Sequence, residues 1–284
     1  MNHFREKLNH FSELVMFKHS VFSLPFIFIA MFVAAEGWFG WELLFLGTLA
    51  AVTARNFAMG VNRYLDRDID RLNPRTKSRP SVDGRVSNAQ MVGFIVMNAL
   101  LFIVVAYFVN TLAFQLSLPI LLVLGAYTLF KRFSPLAHLI LGVSLGLAPI
   151  AGVVAVNGEI TLWSVYLAIG VMFWVAGFDL LYSLQDIEFD KAHGLHSIPS
   201  KFGADKTMWI ARLFHFMAIV FWVGFVVVSG LGYWAQLAIL FSAIMLSYEH
   251  YLVNKDFTKI DKAFFTVNGY LGFVFLILII MEVV

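Results

Sequence analysis

Two groups of oxygen-bearing side chains occur at helical spacing in a chain that is otherwise strongly apolar. The first is Asn62-x3-Asp66-x3-Asp70, and the second is Asp186-x3-Asp190. Residues four apart lie on nearly the same face of an α-helix, so each group is predicted to form a stripe of oxygen ligands. Four carboxylates facing one cavity would repel each other or take up protons unless a cation held them. All-oxygen ligands favour Mg²⁺, which usually bridges to the phosphates of a substrate.

Basic residues accompany the first acidic group and favour a ligand that carries phosphate. In chain order they are Arg63, Arg67, Arg71, Arg75, Lys77, Arg79, Lys131 and Arg132. Guanidinium and ammonium groups neutralise phosphate oxygens, so acids, a metal and these bases together would clamp a diphosphate leaving group. The alternative is that the bases only anchor the chain at a membrane surface. That alternative is weaker for Arg67, which lies between two predicted ligands.

Three further polar residues lie deeper in apolar segments. Arg55 precedes Asn62 by about two helical turns. It could face an anionic group on a second substrate, or it could be an Arg that extends its head group to the membrane surface. Asp179 and Tyr182 share a helix face with Asp186 and could hydrogen-bond the second substrate, although an Asp179 paired only with an Arg fits equally well. The eight His residues show no metal-binding spacing.

Long apolar segments must position these groups. Of the 284 residues, 60% are hydrophobic and 13% are charged, which is the composition of an integral membrane protein. The apolar runs predict an all-α, polytopic membrane protein with about nine transmembrane helices. The predicted spans lie near residues 21–35, 41–60, 91–109, 113–130, 136–156, 162–182, 207–228, 232–250 and 263–283.

The distribution of positive charge predicts which side of the membrane each loop faces. The 20 Lys and Arg residues fall in the N-terminal segment, in alternate loops, or at the helix ends that face those loops. Under the positive-inside rule the N-terminus is cytoplasmic, and both acidic groups lie on the cytoplasmic side. They can therefore form one site. A cleaved signal peptide is disfavoured because no A-x-A site follows the first apolar run.

The organisation of the chain is simple. No low-complexity run or long linker divides it, so residues 1–284 are predicted to form a single domain. Asp66 and Asp70 precede Asp186 and Asp190, respectively, by the same number of residues. This equal spacing is compatible with a parallel internal repeat of about four helices or with coincidence. Residues 4–15 carry apolar side chains at helical spacing and are predicted to form a helix in the membrane interface or to extend the first span. Disulfides are excluded because there is no Cys.

Three segments together resemble the signatures of the UbiA superfamily of intramembrane prenyltransferases. The first is NRYLDRDIDRLNPRTKSRP from Asn62, the second is YTLFKR from Tyr127, and the third is DLLYSLQDIEFD from Asp179. Arg55 matches another family position. The resemblance covers nearly the whole chain, in the right order. Where the first signature commonly has Asn-Asp, this chain has Asn-Arg, which rules out a metal role for Arg63.

The resemblance implies nine helices around a central cavity and a set of roles for the site residues. Mg²⁺ and the diphosphate would be held by Asn62, Asp66, Asp70, Asp186 and Asp190. The four Asp residues and Arg67 would be catalytic. Substrate contacts would come from Arg55, Asn62, Tyr127, Lys131, Arg132, Asp179 and Tyr182. The C–O bond of a polyprenyl diphosphate would break to give an allylic cation, which an electron-rich ring carbon of the acceptor would attack.

The expected acceptor is an aromatic carboxylate. The segment 134–138 (SPLAH) is similar to the 4-hydroxybenzoate polyprenyltransferase branch, whereas 18–25 (KHSVFSLP) is similar to bacterial members that use a dihydroxynaphthoate. The expected reaction is Mg²⁺-dependent prenylation of 4-hydroxybenzoate in ubiquinone or menaquinone biosynthesis. 1,4-Dihydroxy-6-naphthoate and haem-type acceptors are the alternatives. The expected location is the bacterial inner membrane, multi-pass, with the N-terminus and active site on the cytoplasmic side.

Two other classes of membrane protein share part of this pattern. The CDP-alcohol phosphotransferases also use Asp-x3-Asp helices, but their D-G-x2-A-R start is absent from this sequence. A cation-coupled transporter would be expected to place its acids near the membrane midplane, whereas here they cluster at one face. The expected partners are thus a polyprenyl diphosphate, an aromatic acid and the lipid bilayer, with no nucleic acid.

Overall fold

The structure, a computed structural model, describes residues 9–15 and 24–284, and the described part is helical without β-strands. Residues 9–14 form a short helix, the N-terminal helix. The α-helices that follow are α1 (Leu24–Ala34), α2 (Trp41–Leu65), α3 (Arg67–Leu72), α4 (Asn88–Val109), α5 (Thr111–Ala126), α6 (Ala137–Asn157), α7 (Leu162–Ser183), α8 (Ile187–Ala192), α9 (Ile198–Phe202), α10 (Ala204–Ser229), α11 (Tyr233–Lys255), α12 (Ile260–Lys262) and α13 (Asn268–Val283).

The described part contains eight helical segments that are long and apolar enough to cross a membrane. The shorter apolar helix α1 takes the place of the first predicted span. The prediction of an all-α membrane protein with about nine spans is thereby confirmed. Most of the 18–25 segment and the first part of the predicted interfacial helix lie outside the described residues. The single domain and the internal repeat stay predictions.

Helix α7 lies at the centre of the bundle, with α6 packed on one side and α10 on the other. Glycines allow α6 to approach it closely. A Cβ atom on Gly146 would lie 2.8 Å from the carbonyl oxygen of Ala168, and one on Gly142 would overlap the Met172 carbonyl. Small residues four apart are a common device for close helix packing in membranes. The antiparallel pair thus brings the start of α6 against the end of α7.

Buried aromatic rings join four helices behind this pair. Phe26 of α1 packs against Trp174 of α7 and Trp222 of α10, with ring centroids 5.0 and 5.6 Å apart. Phe275 of α13 completes the cluster at 5.6 Å from Phe26. All four rings are fully buried. Because well-packed aromatic rings have few alternative arrangements, this cluster fixes α7 against its neighbours.

Both acidic groups lie where a long helix is interrupted. Helix α2 ends at Leu65, Asp66 has φ −88° and ψ 3°, and α3 begins immediately afterwards. Helix α7 is followed by a 3₁₀ turn over Leu184–Asp186 before α8 begins. The stripe predicted for each group is therefore not one regular helix. The first Asp of each pair lies at the break, and the second lies on a short helix beyond it.

The loop between α3 and α4 folds back over the end of the bundle. Its turns are closed by backbone hydrogen bonds, such as Val82 N to Arg79 O at 2.8 Å. Ser87 ends the loop with a capping box, in which its side chain and that of Gln90 each accept a backbone N–H. Arg85 fastens the loop to the N-terminal helix through Glu13 at 2.6 Å. This folding returns Arg75 and Arg79 to the acidic groups.

Candidate active site

A cavity of about 460 Å³ extends between α2, α6 and α7. One part is lined by apolar side chains, including those of Ile27, Ala51 and Leu145, and the other part is strongly polar. The predicted site residues on its wall are Arg55, Asn62, Asp66, Asp70, Tyr127, Lys131, Asp179, Tyr182, Asp186 and Asp190. The structure thus brings the two acidic groups to the same cavity.

Asp66 is the most enclosed of the four carboxylates, with 2% of its surface exposed. Its Oδ2 atom accepts hydrogen bonds from Asn62 Nδ2 at 2.8 Å and from Thr128 Oγ1 at 3.0 Å. Lys131 Nζ also contacts that oxygen. The other oxygen, Oδ1, is buried and has no hydrogen-bond partner among the described residues. A buried carboxylate oxygen without a donor is costly, so this atom suits a bound cation.

Two arginines of the folded-back loop hold the next two carboxylates. Arg79 Nη1 donates to both oxygens of Asp70 at 2.7 Å. Arg75 donates to both oxygens of Asp186 at 2.6 and 3.2 Å, and Asn73 Nδ2 adds a third bond at 3.2 Å. Burial disfavours the Arg75 charge, but the hydrogen bonds with Asp186 outweigh it and raise the pKa of Arg75. The loop therefore links the two acidic groups through charged contacts.

The fourth carboxylate has a neutral partner. Asp190 Oδ2 accepts a hydrogen bond from Ser197 Oγ at 2.7 Å. Ser197 caps α9, so the loop after α8 holds this carboxylate. Within the described residues, no three acidic or His side chains stand close enough to hold one ion as they are arranged. In this arrangement Lys131, Arg75 and Arg79 each hold a separate carboxylate.

The donor set nevertheless fits Mg²⁺ in its chemistry. All the acidic ligands offer hard oxygen atoms, and they lie on one cavity. Asp66 Oδ1 is already free of any hydrogen bond within the described part. Magnesium commonly takes only one or two carboxylates and completes its shell with water and phosphate. A tight cluster of three protein ligands is therefore not needed for such a site.

A second kind of polar pair lies farther along the cavity wall. His138 Nδ1 is 2.7 Å from Asp179 Oδ2, and both side chains line the cavity. Tyr182, one turn beyond Asp179, accepts a hydrogen bond from Arg75 Nη1 at 3.3 Å. Tyr182 also packs on Phe264, with ring centroids 4.4 Å apart. The end of α7 therefore carries residues of both the polar wall and the aromatic wall.

The aromatic wall depends on an irregular helix turn. Residues Ala263–Val267 form a π-helix, which places Phe264 and Phe265 on the cavity. Phe264 contacts Phe178 edge-on at 5.0 Å. π-Helical turns cost regular hydrogen bonding and often occur at functional sites.

Two predicted residues lie away from the cavity wall. Arg132 donates to both oxygens of Asp68 at 2.7 and 2.9 Å, and this hydrogen bonding lowers the pKa of Asp68. The guanidinium of Arg67 lies over the Tyr64 ring, 5.3 Å from its centroid. Neither arginine is among the cavity-lining side chains of the described part. Their predicted phosphate contacts stay predictions.

Sequence reasoning missed several residues of this site. Thr128 and Ser197 were passed over because single hydroxyl residues carry no spacing signal. His138 was noted only as part of a resemblance. Phe264 could not be singled out because an aromatic residue in an apolar run has the same pattern whether it faces a cavity, the core or lipid. Arg63, for which a metal role was excluded, is buried on the cavity wall and donates to the Leu14 carbonyl at 3.3 Å.

Solved structures share this fold. A UbiA homolog from Aeropyrum pernix K1 is 31% identical, with a TM-score of 0.85 over 94% of this chain and 98% of that one. A UbiA homolog from Archaeoglobus fulgidus, solved with GPP and Mg²⁺, is 18% identical, with a TM-score of 0.76 over 95% and 99% of the two chains. The second likeness concerns the fold alone. The fold and the site together define the class of protein: a helical membrane protein whose described part contains a cavity lined by acidic and basic side chains.

Sequence comparison identifies the family. The model of the UbiA prenyltransferase family matches residues 23–278. The chain belongs to this family and is a membrane prenyltransferase. A 4-hydroxybenzoate octaprenyltransferase of Burkholderia orbicola (strain MC0-3) is 29% identical over 245 residues, covering 86% of this chain and 84% of the relative. The protein of the same name from Paracidovorax citrulli (strain AAC00-1) is 29% identical over 246 residues, 86% of this chain and 82% of the relative.

Proposed function

We propose that this chain transfers a polyprenyl group from a polyprenyl diphosphate to 4-hydroxybenzoate in quinone biosynthesis. The observation that carries the proposal is the cavity itself, which joins two acidic groups and their bases to an extended apolar wall. Such a cavity suits a substrate with a diphosphate head and a hydrocarbon tail. The names of the relatives support the choice of acceptor.

The polar end of the cavity would bind the diphosphate. Mg²⁺ would be held by Asn62, Asp66, Asp70, Asp186 and Asp190, and when bound it would neutralise the diphosphate and assist its departure. Lys131, Arg75 and Arg79 already lie at these carboxylates. An incoming diphosphate would compete for the same three bases. As they turn to the phosphate oxygens, the carboxylates would become available as ligands.

The acceptor would lie deeper, between α2 and α7. Arg55 is on the cavity wall, two turns before the acidic group, and its guanidinium would pair with the acceptor carboxylate. Phe264, Phe178 and Tyr182 present aromatic faces that would stabilise an allylic cation. The surrounding apolar side chains would exclude water, which otherwise captures that cation.

The proposed location is the bacterial inner membrane, with the site opening to the cytoplasm. Because the chain has no Cys, single substitutions can test this orientation. A membrane-impermeant maleimide added to intact cells should label Glu159→Cys and leave Lys77→Cys unlabelled until the membrane is broken. The reverse pattern would overturn the orientation without affecting the chemistry.

The reaction is tested by mass spectrometry of products. Purified protein receives a polyprenyl diphosphate and Mg²⁺, with 4-hydroxybenzoate or 1,4-dihydroxy-6-naphthoate as acceptor. We expect prenylated hydroxybenzoate, no product in EDTA and none with Asp186→Ala. Glu188→Ala is the matched control, because its side chain is 90% exposed on the adjacent turn. Product from the naphthoate alone would change the acceptor, and product from neither would overturn the proposal.

A further inference from the structure

The His138–Asp179 pair is a partly buried polar contact on the cavity wall that the proposed diphosphate binding does not use. His138 lies in the first turn of α6 and Asp179 near the end of α7. Close packing of the two helices holds Nδ1 and Oδ2 2.7 Å apart. His138 is only 6% exposed, so its ring has little freedom to turn away.

The contact determines what the other ring nitrogen can do. An ionised carboxylate only accepts hydrogen bonds, so the proton of a neutral His138 is placed on Nδ1 by its partner. Nε2 is then a proton acceptor. This atom is buried and has no hydrogen-bond partner among the described residues. An acceptor left without a donor in a buried position costs free energy, so Nε2 suits a donor carried by a ligand.

Other groups on the cavity wall are less suited to accept a proton. Asp66, Asp70 and Asp186 are each held by a base, and Asp190, which accepts a hydrogen bond from Ser197, is a proposed ligand of Mg²⁺. His196 also lines the cavity, but it is exposed in the loop after α8. With its proton on Nδ1 toward Asp179, the buried His138 would offer an unprotonated Nε2, which is the arrangement of a general base held by a carboxylate.

We propose that His138 Nε2 accepts the hydroxyl proton of the aromatic acceptor, with Asp179 as the positioning residue. The inference rests on the proposed function, because it requires a hydroxylated aromatic substrate. It assigns opposite ends of the acceptor to different elements. Arg55 of α2 takes the carboxylate, and His138 of α6 takes the hydroxyl.

The proposed step balances as follows. The C1–O bond of the prenyl diphosphate breaks and its electron pair leaves with the diphosphate. A ring carbon ortho to the hydroxyl bonds to C1 while the hydroxyl proton moves to His138 Nε2, giving a cyclohexadienone. The ortho carbon then loses its proton to a diphosphate oxygen, and protonated His138 returns its proton to the ring oxygen. The products are the prenylated phenol and protonated diphosphate, with neutral His138 restored.

The test compares two acceptors that differ in phenol acidity. Wild type, His138→Gln and Asp179→Asn are assayed with 4-hydroxybenzoate and with the more acidic 3-fluoro-4-hydroxybenzoate. With the first acceptor we expect kcat of His138→Gln to fall by about 100-fold or more, the usual share of a general base. With the fluorinated acid, which ionises more easily, the loss should shrink by about tenfold. Asp179→Asn should show the same dependence on the acceptor with a smaller loss.

Two controls separate this role from a structural one. Magnesium-dependent binding of the polyprenyl diphosphate should be unchanged in His138→Gln, and His10→Gln on the N-terminal helix should retain full activity. Equal losses with both acceptors, or no loss, would overturn the role of His138. If His138→Gln does not fold, the test uses Asp179→Asn alone: a smaller loss with the fluorinated acid supports the role of His138, and equal losses overturn it. A wild-type protein that prenylates neither acid would instead overturn the proposed acceptor, and this inference with it.

Discussion

Two buried polar regions of this protein use similar residue types in different ways. At the polar end of the cavity, which we call the mouth, Asp66, Asp70 and Asp186 are paired with Lys and Arg side chains. Behind α7 lies an inner network of polar side chains, formed by Trp174, His215, Glu249, His250 and Asn268. No Lys or Arg takes part in its described hydrogen bonds. Both regions place polar groups inside an apolar bundle, where an unpaired polar group costs free energy.

Most polar groups of the inner network find partners within the protein, although Glu249 Oε2 and His250 Nδ1 are buried without a hydrogen-bond partner among the described residues. Trp174 Nε1 donates to Asn268 Oδ1, and Asn268 Nδ2 donates to Glu249 Oε1, both at 2.8 Å. His215 Nδ1 and His250 Nε2 are 3.0 Å apart. These bonds join α7, α10, α11 and α13 in the interior. Their partners are fixed by packing, so the network stabilises helix positions.

The mouth differs because its charged partners are long side chains on a loop and at a helix end. Under the proposed function, Arg75 and Arg79 would turn from a carboxylate to a phosphate. A buried carboxylate alone therefore does not identify a site for chemistry. What distinguishes the mouth is a cavity with acids and movable bases on its wall.

The largest expected effect comes from a change at the mouth. Asp66→Asn removes the most enclosed cavity carboxylate while keeping its size, and activity should fall about 100- to 1,000-fold, as when one preorganised electrostatic contact is lost. Steady-state kinetics with saturating Mg²⁺ measures this. Asp68→Asn is the matched control, two residues away but exposed and paired with Arg132. Similar losses in both variants would break the distinction between cavity and surface acids.

A substitution in the inner network should lower stability and not activity. Glu249, which is 1% exposed, accepts the shorter of the two hydrogen bonds from Asn268 Nδ2, and Glu249→Ala leaves only the 3.3 Å bond to the Phe264 carbonyl, so the free energy of unfolding should fall by about 1–3 kcal/mol. Glu249→Gln keeps an oxygen acceptor and should be closer to wild type. Thermal unfolding in detergent measures both. If the folded Glu249→Ala protein lost most of its kcat, the network would belong to the active site.

The smallest effect is expected for the loop. Arg75→Gln removes one charged contact at the mouth, so KM for the polyprenyl diphosphate should rise about tenfold, with a smaller change in kcat. The raised pKa of Arg75 keeps it protonated at every usable pH, so the ratio to wild type should be constant between pH 6 and 9. Lys77→Gln, exposed on the same loop and absent from the cavity wall, is the control. A rise in KM that appears equally in Lys77→Gln would indicate general surface charge.

Much of the fold and part of the site could be predicted from sequence. The apolar runs predicted the spans because a membrane requires long helices whose backbone groups are satisfied within each segment. The charge pattern predicted that both acidic groups share one side. The contact between Asp66 and Lys131 could not be predicted from the charge pattern, since those residues lie on different helices and nothing in their spacing specifies contact.

The sequence by itself determined the class of membrane protein and the residue types of the site, because apolar length, charge asymmetry and the i, i+4 acids are local properties of the chain. Tertiary structure decided which of those residues meet. The break at Asp66, the loop that returns Arg75 to Asp186, the π-turn beneath Phe264 and the contact of His138 with Asp179 all depend on helix packing. Packing is a property of surfaces distant in sequence, and no local pattern encodes it.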